Sequence, residues 1–313
     1  MPKTFYRPTI VISECLLSAP CRWDCTRIRD DFVRRLRRRV RFQPVCPEME
    51  IDLGAPRDPI RLVQVGDSVG LFQPSTKRRL TGRMTRFARE MTARLKDVDG
   101  IILKHKSPSC GIRGAKLFDS ASQSARVIAR RSGIFAAEIL SRFDDYPAED
   151  EERLEKRQVR EQFLTRIFTL ANYRATERLG RLSGLVKFHS RNESLLRTYS
   201  VGMAQRMSGL IEEEVSSRAV EIPDQYGYLL RQALMRRPRK DSIARTFSQA
   251  LDHFRNDLNW ADIGRFEKSL EEYVNGDVSP DVLREIVRIW AVRYDRAWVR
   301  QQAFFNPFPE HLL

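Results

Sequence analysis

The sequence holds no Walker loop of the form G-x4-G-K-S/T and no G-x-S-x-G elbow. ATP-driven chemistry and serine hydrolysis therefore have no motif to rest on. It holds no paired C-x2-C, and its four histidines, His105, His189, His253 and His311, are scattered, which disfavours a zinc ribbon or knuckle. The closely spaced cysteine run of ferredoxins is missing. The C-x3-C-x2-C of radical enzymes also fails, because Cys21-x3-Cys25 is followed by Ile28. No apolar run reaches the roughly 18–20 residues of a membrane span. The opening Met1-Pro2-Lys3-Thr4 has no secretory h-region, so a cytoplasmic protein without membrane association is expected. Internal repeats and low-complexity tracts are absent too.

Acidic charge is also in short supply. Against 56 Lys and Arg stand 41 Asp and Glu, for a formal net charge of +15 over 313 residues. Residues 1–150 carry +11 of that excess and residues 151–313 carry +4. A field of this size attracts polyanions, above all nucleic acid. The length suggests one large or two ordinary domains, and 42% hydrophobic residues suffice for a core. Five cysteines, an odd number, in a chain without a signal peptide argue for metal or redox chemistry and against a disulfide framework.

The pattern divides the chain. Residues 8–13, 41–46, 99–104 and 134–137 read as strands, and between them Thr26–Arg39, the stripe Leu80, Met84, Phe87, Met91, Leu95, and residues 120–132 read as helices. Ser75 or Thr76 is the expected N-cap of the second helix, and the proline-rich passage 56–74 reads as loop. Alternation of this kind predicts an α/β domain with a mainly parallel, Rossmann-like sheet. The acidic stretch Asp144–Glu152 marks the expected boundary, and everything after it looks helical. The expected domains are thus residues 1–145, α/β, and residues 146–313, all-α.

The cysteines carry most of the information. Cys15 follows the apolar run 9–12, Cys46 follows Phe42-Gln43-Pro44-Val45, and Cys110 lies in Ser107-Pro108-Ser109-Cys110-Gly111 just after run 100–104. If the runs are parallel strands of one sheet, the three thiols gather at its carboxyl edge, where open α/β sheets place ligands. Three thiolates there predict a metal or cluster site with one position open for chemistry. Cys21 and Cys25 read more simply as small buried hydrophobes. Glu48, two residues beyond Cys46, is either a proton carrier beside the metal or a surface or capping carboxylate. Ser107 and Ser109 either hydrogen-bond a heterocycle or shape a turn.

Taken together, Ser13-Glu14-Cys15-Leu16-Leu17, Arg22-Trp23-Asp24, Pro44-Val45-Cys46-Pro47-Glu48, Pro56-Arg57 and Leu103-Lys104…Ser107-Pro108-Ser109-Cys110-Gly111 resemble the thiouracil desulfidase family over about residues 8–140. The remainder resembles the helical domain often fused to it, through Phe188-His189-Ser190-Arg191-Asn192 and the closing Gln302–Glu310. The two-domain form is similar to enzymes that remove sulfur from 4-thiouridine in tRNA. The resemblance implies a [4Fe-4S] cluster held by Cys15, Cys46 and Cys110, with Glu48 as acid/base. It implies Ser107 or Ser109, with Arg22 and Asp24, at a thiolated pyrimidine substrate. An iron without a protein ligand would act as a Lewis acid on the thiocarbonyl sulfur, and RNA would bind through basic residues of the Arg34–Arg41 run and through the helical domain. The chain departs from the family pattern at Ser18, Trp23 and Cys25, which belong to the same loops. Two other readings remain open: a desulfidase of free thiouracil or another small thioamide, and a non-enzymatic metal-containing regulatory or RNA-binding protein whose metal takes Cys21 or Cys25 as a fourth protein ligand.

Overall fold

The computed structural model describes residues 5–217 and 221–313. The chain forms two compact units, one of residues 7–171 with 311–313, the other of residues 172–310 with Phe5 and Tyr6. In chain order the first unit runs β1 (Thr9–Ser13), α1 (Asp31–Leu36), β2 (Arg41–Val45), α2 (Pro47–Glu50), β3 (Arg61–Val65), β4 (Ser68–Gln73), β5 (Arg78–Arg79) and α3 (Thr81–Arg94). It continues with β6 (Gly100–Leu103), β7 (Ala115–Phe118), β8 (Val127–Arg131), α4 (Ile134–Arg142), β9 (Ala148–Asp150), α5 (Glu151–Leu154) and α6 (Arg157–Leu179), and the division between units falls inside α6.

The expected α/β fold with a parallel sheet is present. Four strands pair in the order β2-β1-β6-β9, every pair parallel. β1 sits inside the sheet and all five of its residues are buried, as a continuous apolar run covered on both faces requires. Ser13 pairs with Val45, and Ile12 pairs with both Pro44 and Ile102, so β1, β2 and β6 end at one level. Gly100 lets α6 close on the sheet, since a Cβ there would lie 2.6 Å from Ile167.

Several local expectations fail for identifiable reasons. The passage 56–74 is not loop throughout: β3 and β4 form an antiparallel hairpin, with Gly66 at φ +56° in its turn. With β5, β7 and β8 they make a second, mixed sheet in the order β5-β4-β3-β7-β8. The expected helix at 120–132 contains β8, whose residues pair back onto β7. The expected strand at 134–137 is instead the start of α4, because Phe135, Ala136 and Ile139 share one helical face and are all fully buried. α1 is shorter than expected, and begins where the Asp30 carboxylate accepts the Val33 N–H at 2.8 Å. The N-cap of α3 is Leu80, not Ser75 or Thr76, because β5 pairs with β4 just before it.

The second unit is helical, as expected. After the end of α6 come α7 (Leu182–Tyr199), α8 (Val201–Ser216), α9 (Asp224–Met235), α10 (Lys240–Asp252), α11 (Trp260–Asn275), α12 (Pro280–Arg293) and α13 (Ala297–Gln301). Its core is aromatic. Tyr173 stacks on Tyr226 at 5.6 Å between ring centroids, and Phe247 meets Phe304 edge-on at 5.0 Å. Among the described residues no helix is long and apolar enough to cross a membrane.

Candidate active site

The parallel register fixes where the chemistry collects. Cys15 lies in the single turn of 3₁₀ helix directly after β1, Cys46 is the residue after β2 and the N-cap of α2, and Cys110 lies in the turn after β6. All three line one cavity of about 560 Å³ at the carboxyl edge of the parallel sheet, and all are nearly closed to solvent.

Cys21 joins them, against the simpler reading of it as a core hydrophobe. Its thiol is within hydrogen-bond reach of those of Cys15 and Cys46, and its Sγ, the Cys46 Sγ and a Glu14 carboxylate oxygen all lie within 4.8 Å of one another. The hydrogen bond with Cys15 raises the Cys21 pKa to about 11, and burial adds to it. The contact with Cys21, then burial, raises Cys46, and burial chiefly raises Cys110. The thiols of Cys21, Cys46 and Cys110 are costly to ionise in this setting unless a cation compensates the charge. The donor set thus suits a soft, sulfur-seeking metal centre. Cys25 is in the left-handed region at φ +56° and does not line the cavity.

Beside the thiols sits a buried polar relay. The Ser109 Oγ–H donates to Glu48 Oε1 at 2.9 Å, and Arg57 Nε–H donates to Glu48 Oε2 at 2.9 Å. Arg57 and Glu48 also make an ion pair, with side chains only 4% and 14% exposed. At that burial the pair is held by geometry, not diluted by water as a surface bridge would be. Ser107 does a different job: its Oγ accepts the backbone N–H of Ser109 at 3.2 Å and of Cys110 at 3.0 Å, which builds the turn that carries the thiol. Gly133 completes that turn. A Cβ there would lie 2.4 Å from the Ser109 carbonyl oxygen, so only glycine permits the approach.

Of the other expected residues, Arg22 lines the cavity, whereas Asp24 does not. Asp24 is turned to Thr26, whose Oγ1–H donates to it at 2.7 Å, and that bond holds its carboxyl below the usual range. The acidic stretch that ends the first pattern is a wall of the site and not simply a linker. Glu151 and Glu152 line the cavity, Glu151 accepts the His105 backbone N–H at 2.8 Å, and Lys104 pairs with Glu151 while His105 meets Glu152. Sequence reasoning missed Arg57 and this acidic wall as functional elements, and weighed Cys21 only as a possible fourth metal ligand. The one available signal was that Arg57 and Cys21 sit inside or beside the quoted motifs.

Comparison with known proteins agrees with the resemblance read from the sequence. Residues 10–151 match the family model described as 2-thiouracil desulfurase. Residues 194–309 match a second model, DUF1722, described as a protein of unknown function. A solved structure described as a [4Fe-4S]-dependent thiouracil desulfidase, TudS, aligns at 22% identity with a TM-score of 0.37, covering 48% of this chain and 94% of that one. No curated protein matches the chain.

Proposed function

We propose that this protein is a desulfidase that converts the thiocarbonyl of a thiolated pyrimidine to a carbonyl and releases sulfide, and that its substrate is 4-thiouridine in tRNA. The match of residues 10–151 to the 2-thiouracil desulfurase family supports the reaction class. The observation that carries the reading at the level of residues is that Glu48 and Arg57 line the same cavity as the buried thiols, while Ser109, buried behind the wall, donates to Glu48.

Cys15, Cys46 and Cys110 would hold a [4Fe-4S] cluster, and an iron without a protein ligand would supply a soft Lewis acid for the thiocarbonyl sulfur. The protein's own residues do the rest. Glu48 faces the cavity with one oxygen bonded to Ser109 and the other to Arg57, so its position is fixed before substrate arrives. It takes the proton from the water that attacks the ring carbon and passes a proton towards the departing sulfur. Water supplies the oxygen of the new carbonyl and both hydrogens of the hydrogen sulfide that leaves. The exchange balances with no electron transfer, and no redox partner is required. Ser109, fully buried, orients Glu48; Ser107 holds the loop that bears Cys110. The cavity, of about 560 Å³, falls in the size range of small-molecule sites. The base of a folded RNA would be turned out of its stack to enter, at a cost of a few kcal/mol. The net charge of +15 favours such a polyanion.

A second reading has its own support. The family description names the free base, 2-thiouracil, and the cavity admits a free base as readily as a nucleotide. The deciding experiment incubates anaerobically reconstituted protein with tRNA containing 4-thiouridine and, separately, with free thiouracil, and measures sulfide. Sulfide from tRNA, equimolar with uridine formed, is expected. Turnover of the free base alone overturns the tRNA assignment and leaves the reaction standing. Glu48→Gln keeps the shape and one acceptor oxygen but loses the charge that pairs with Arg57 and cannot carry the proton. It is expected to lower turnover by about 10²–10⁴-fold at unchanged iron content, and wild-type turnover would remove Glu48 from the mechanism.

A further inference from the structure

The helical unit carries a second cavity, of about 370 Å³, and four arginines line it: Arg197 at the end of α7, Arg236 and Arg239 in the link from α9 to α10, and Arg245 on the second turn of α10. Helix packing assembles this group, because α7 packs on both α9 and α10 and so brings the end of one helix to the start of another. Among the described residues the wall also carries one carboxylate, Asp241, Glu193 pairs with Arg197 at 3.0 Å, and Arg236 has a partner of its own. Residues 151–313 hold only +4 overall, so this is a local concentration and not the average surface of the unit. The hollow keeps an excess of positive charge, which a bound anion offsets. Guanidinium forks match the tetrahedral oxygens of phosphate with paired N–H donors. The first turn of α10 opens at the same place without a side-chain cap, and its amides add partial positive charge.

The wall also says which part of a nucleic acid it suits. Its single aromatic residue, Tyr199, is 6% exposed and offers no face for a base to stack on. Recognition by charge without stacking is recognition of the backbone, which positions RNA without reading its sequence.

We infer that Arg197, Arg236, Arg239 and Arg245 form a phosphate-binding pocket that grips the RNA backbone, which gives the helical unit its role in delivering the substrate. The choice of RNA as the source of the phosphate rests on the tRNA reading above; the pocket itself does not. The test uses the full chain, with Arg239→Ala/Arg245→Ala and the matched Arg239→Lys/Arg245→Lys. Binding of unmodified tRNA is measured across roughly 50 to 200 mM salt, so that no sulfur chemistry enters. The alanine pair is expected to flatten the salt slope by about 1 for each phosphate no longer gripped, and to weaken binding about tenfold at low salt. The lysine pair is expected to keep most of the slope, because the charge remains. Turnover of free thiouracil is expected to stay at the wild-type level in both, since the substitutions lie outside the sheet-edge site. An unchanged slope in the alanine pair overturns the pocket. Competition by micromolar inorganic phosphate would assign it to a small free anion and overturn the RNA assignment. If tRNA binds through these arginines yet 4-thiouridine in it is not converted, the pocket stands and the substrate reading falls.

Discussion

The two units solve the placement of side chains in opposite ways. In the α/β unit the residues of the candidate active site come from positions 15, 21, 46, 48, 57, 109 and 110: parallel pairing of β1, β2 and β6 draws 15, 46, 48, 109 and 110 to one edge, and loops bring in 21 and 57. In the helical unit the arginine pocket comes mostly from consecutive helices and the link between them. A sheet edge therefore builds a precise, buried site from distant segments and depends on tight turns to do so. Helix ends build a broad, exposed charge surface that depends little on any one contact. Chemistry that needs fixed sub-ångström geometry suits the first arrangement. Electrostatic capture, which tolerates side-chain motion, suits the second.

That contrast is broken most sharply by glycine. Gly133→Ala puts a methyl 2.4–2.7 Å from backbone atoms of Pro108 and Ser109, and backbone in a packed turn cannot yield cheaply. The turn carrying Cys110 and Ser109 must move, so reconstituted iron content and sulfide release are both expected to fall at least tenfold while far-ultraviolet circular dichroism stays native. The corresponding close approach in the helical unit is Gly227, whose Cβ would meet the phenol end of the Tyr173 side chain at 2.8–3.2 Å, and no backbone atom. Gly227→Ala is expected to leave iron content and free-base turnover unchanged. Equal damage from both substitutions would erase the distinction between a precise edge and a tolerant bundle.

Cys21 sharpens the comparison inside the α/β unit. Its thiol sits within reach of Cys15 and Cys46, where a fourth ligand would stand if the metal were merely structural. Under the catalytic reading Cys21→Ala retains iron and turns over thiouracil within about threefold of wild type. Loss of iron to the level of a Cys46→Ala variant would mean that four thiolates close the centre, and the non-enzymatic reading would then be preferred.

How much of this was legible depended on whether a feature rests on a strand or on a loop. The three cysteines could be placed because each follows an apolar run whose pairing is constrained, and a parallel sheet leaves little freedom in where such runs end. Glu48 followed from Cys46, because it sits two residues along and α2 begins at once. Arg57 and Cys21 could not be placed, because loops 18–30 and 51–60 determine their path and neither loop has a period to read. The β3–β4 hairpin was hidden by flanking prolines despite its apolar Leu62, Val63 and Val65. At 134–137 the β-favouring Ile-Phe pair lost to a helical face completed only by Ile139, outside the short run. The acidic stretch looked like linker because charge pattern alone does not reveal that Glu151 and Glu152 face a cavity.

The smallest expected effect belongs to the helical unit and concerns pH. His189 is buried, with Nδ1 2.9 Å from the Tyr226 hydroxyl and Nε2 3.0 Å from Ser208 Oγ. Burial, with Arg197 contributing and Glu193 opposing, holds its pKa below the ordinary 6.5. In the unfolded chain the imidazole takes up its proton near 6.5; in the folded unit it stays neutral to lower pH. The unfolded state then binds more protons below about 6.5, so folding stability is full above that value and declines as pH falls through it. A melting temperature measured from about pH 8 to about pH 5 is expected to be level above roughly 6.5 and to drop below it, and His189→Gln is expected to flatten the drop. Because the site residues of the α/β unit are untouched, iron content at neutral pH should be the same in both proteins. A variant with the wild-type pH profile would place the acid-sensitive group elsewhere and would leave the Tyr226–His189–Ser208 chain as packing alone.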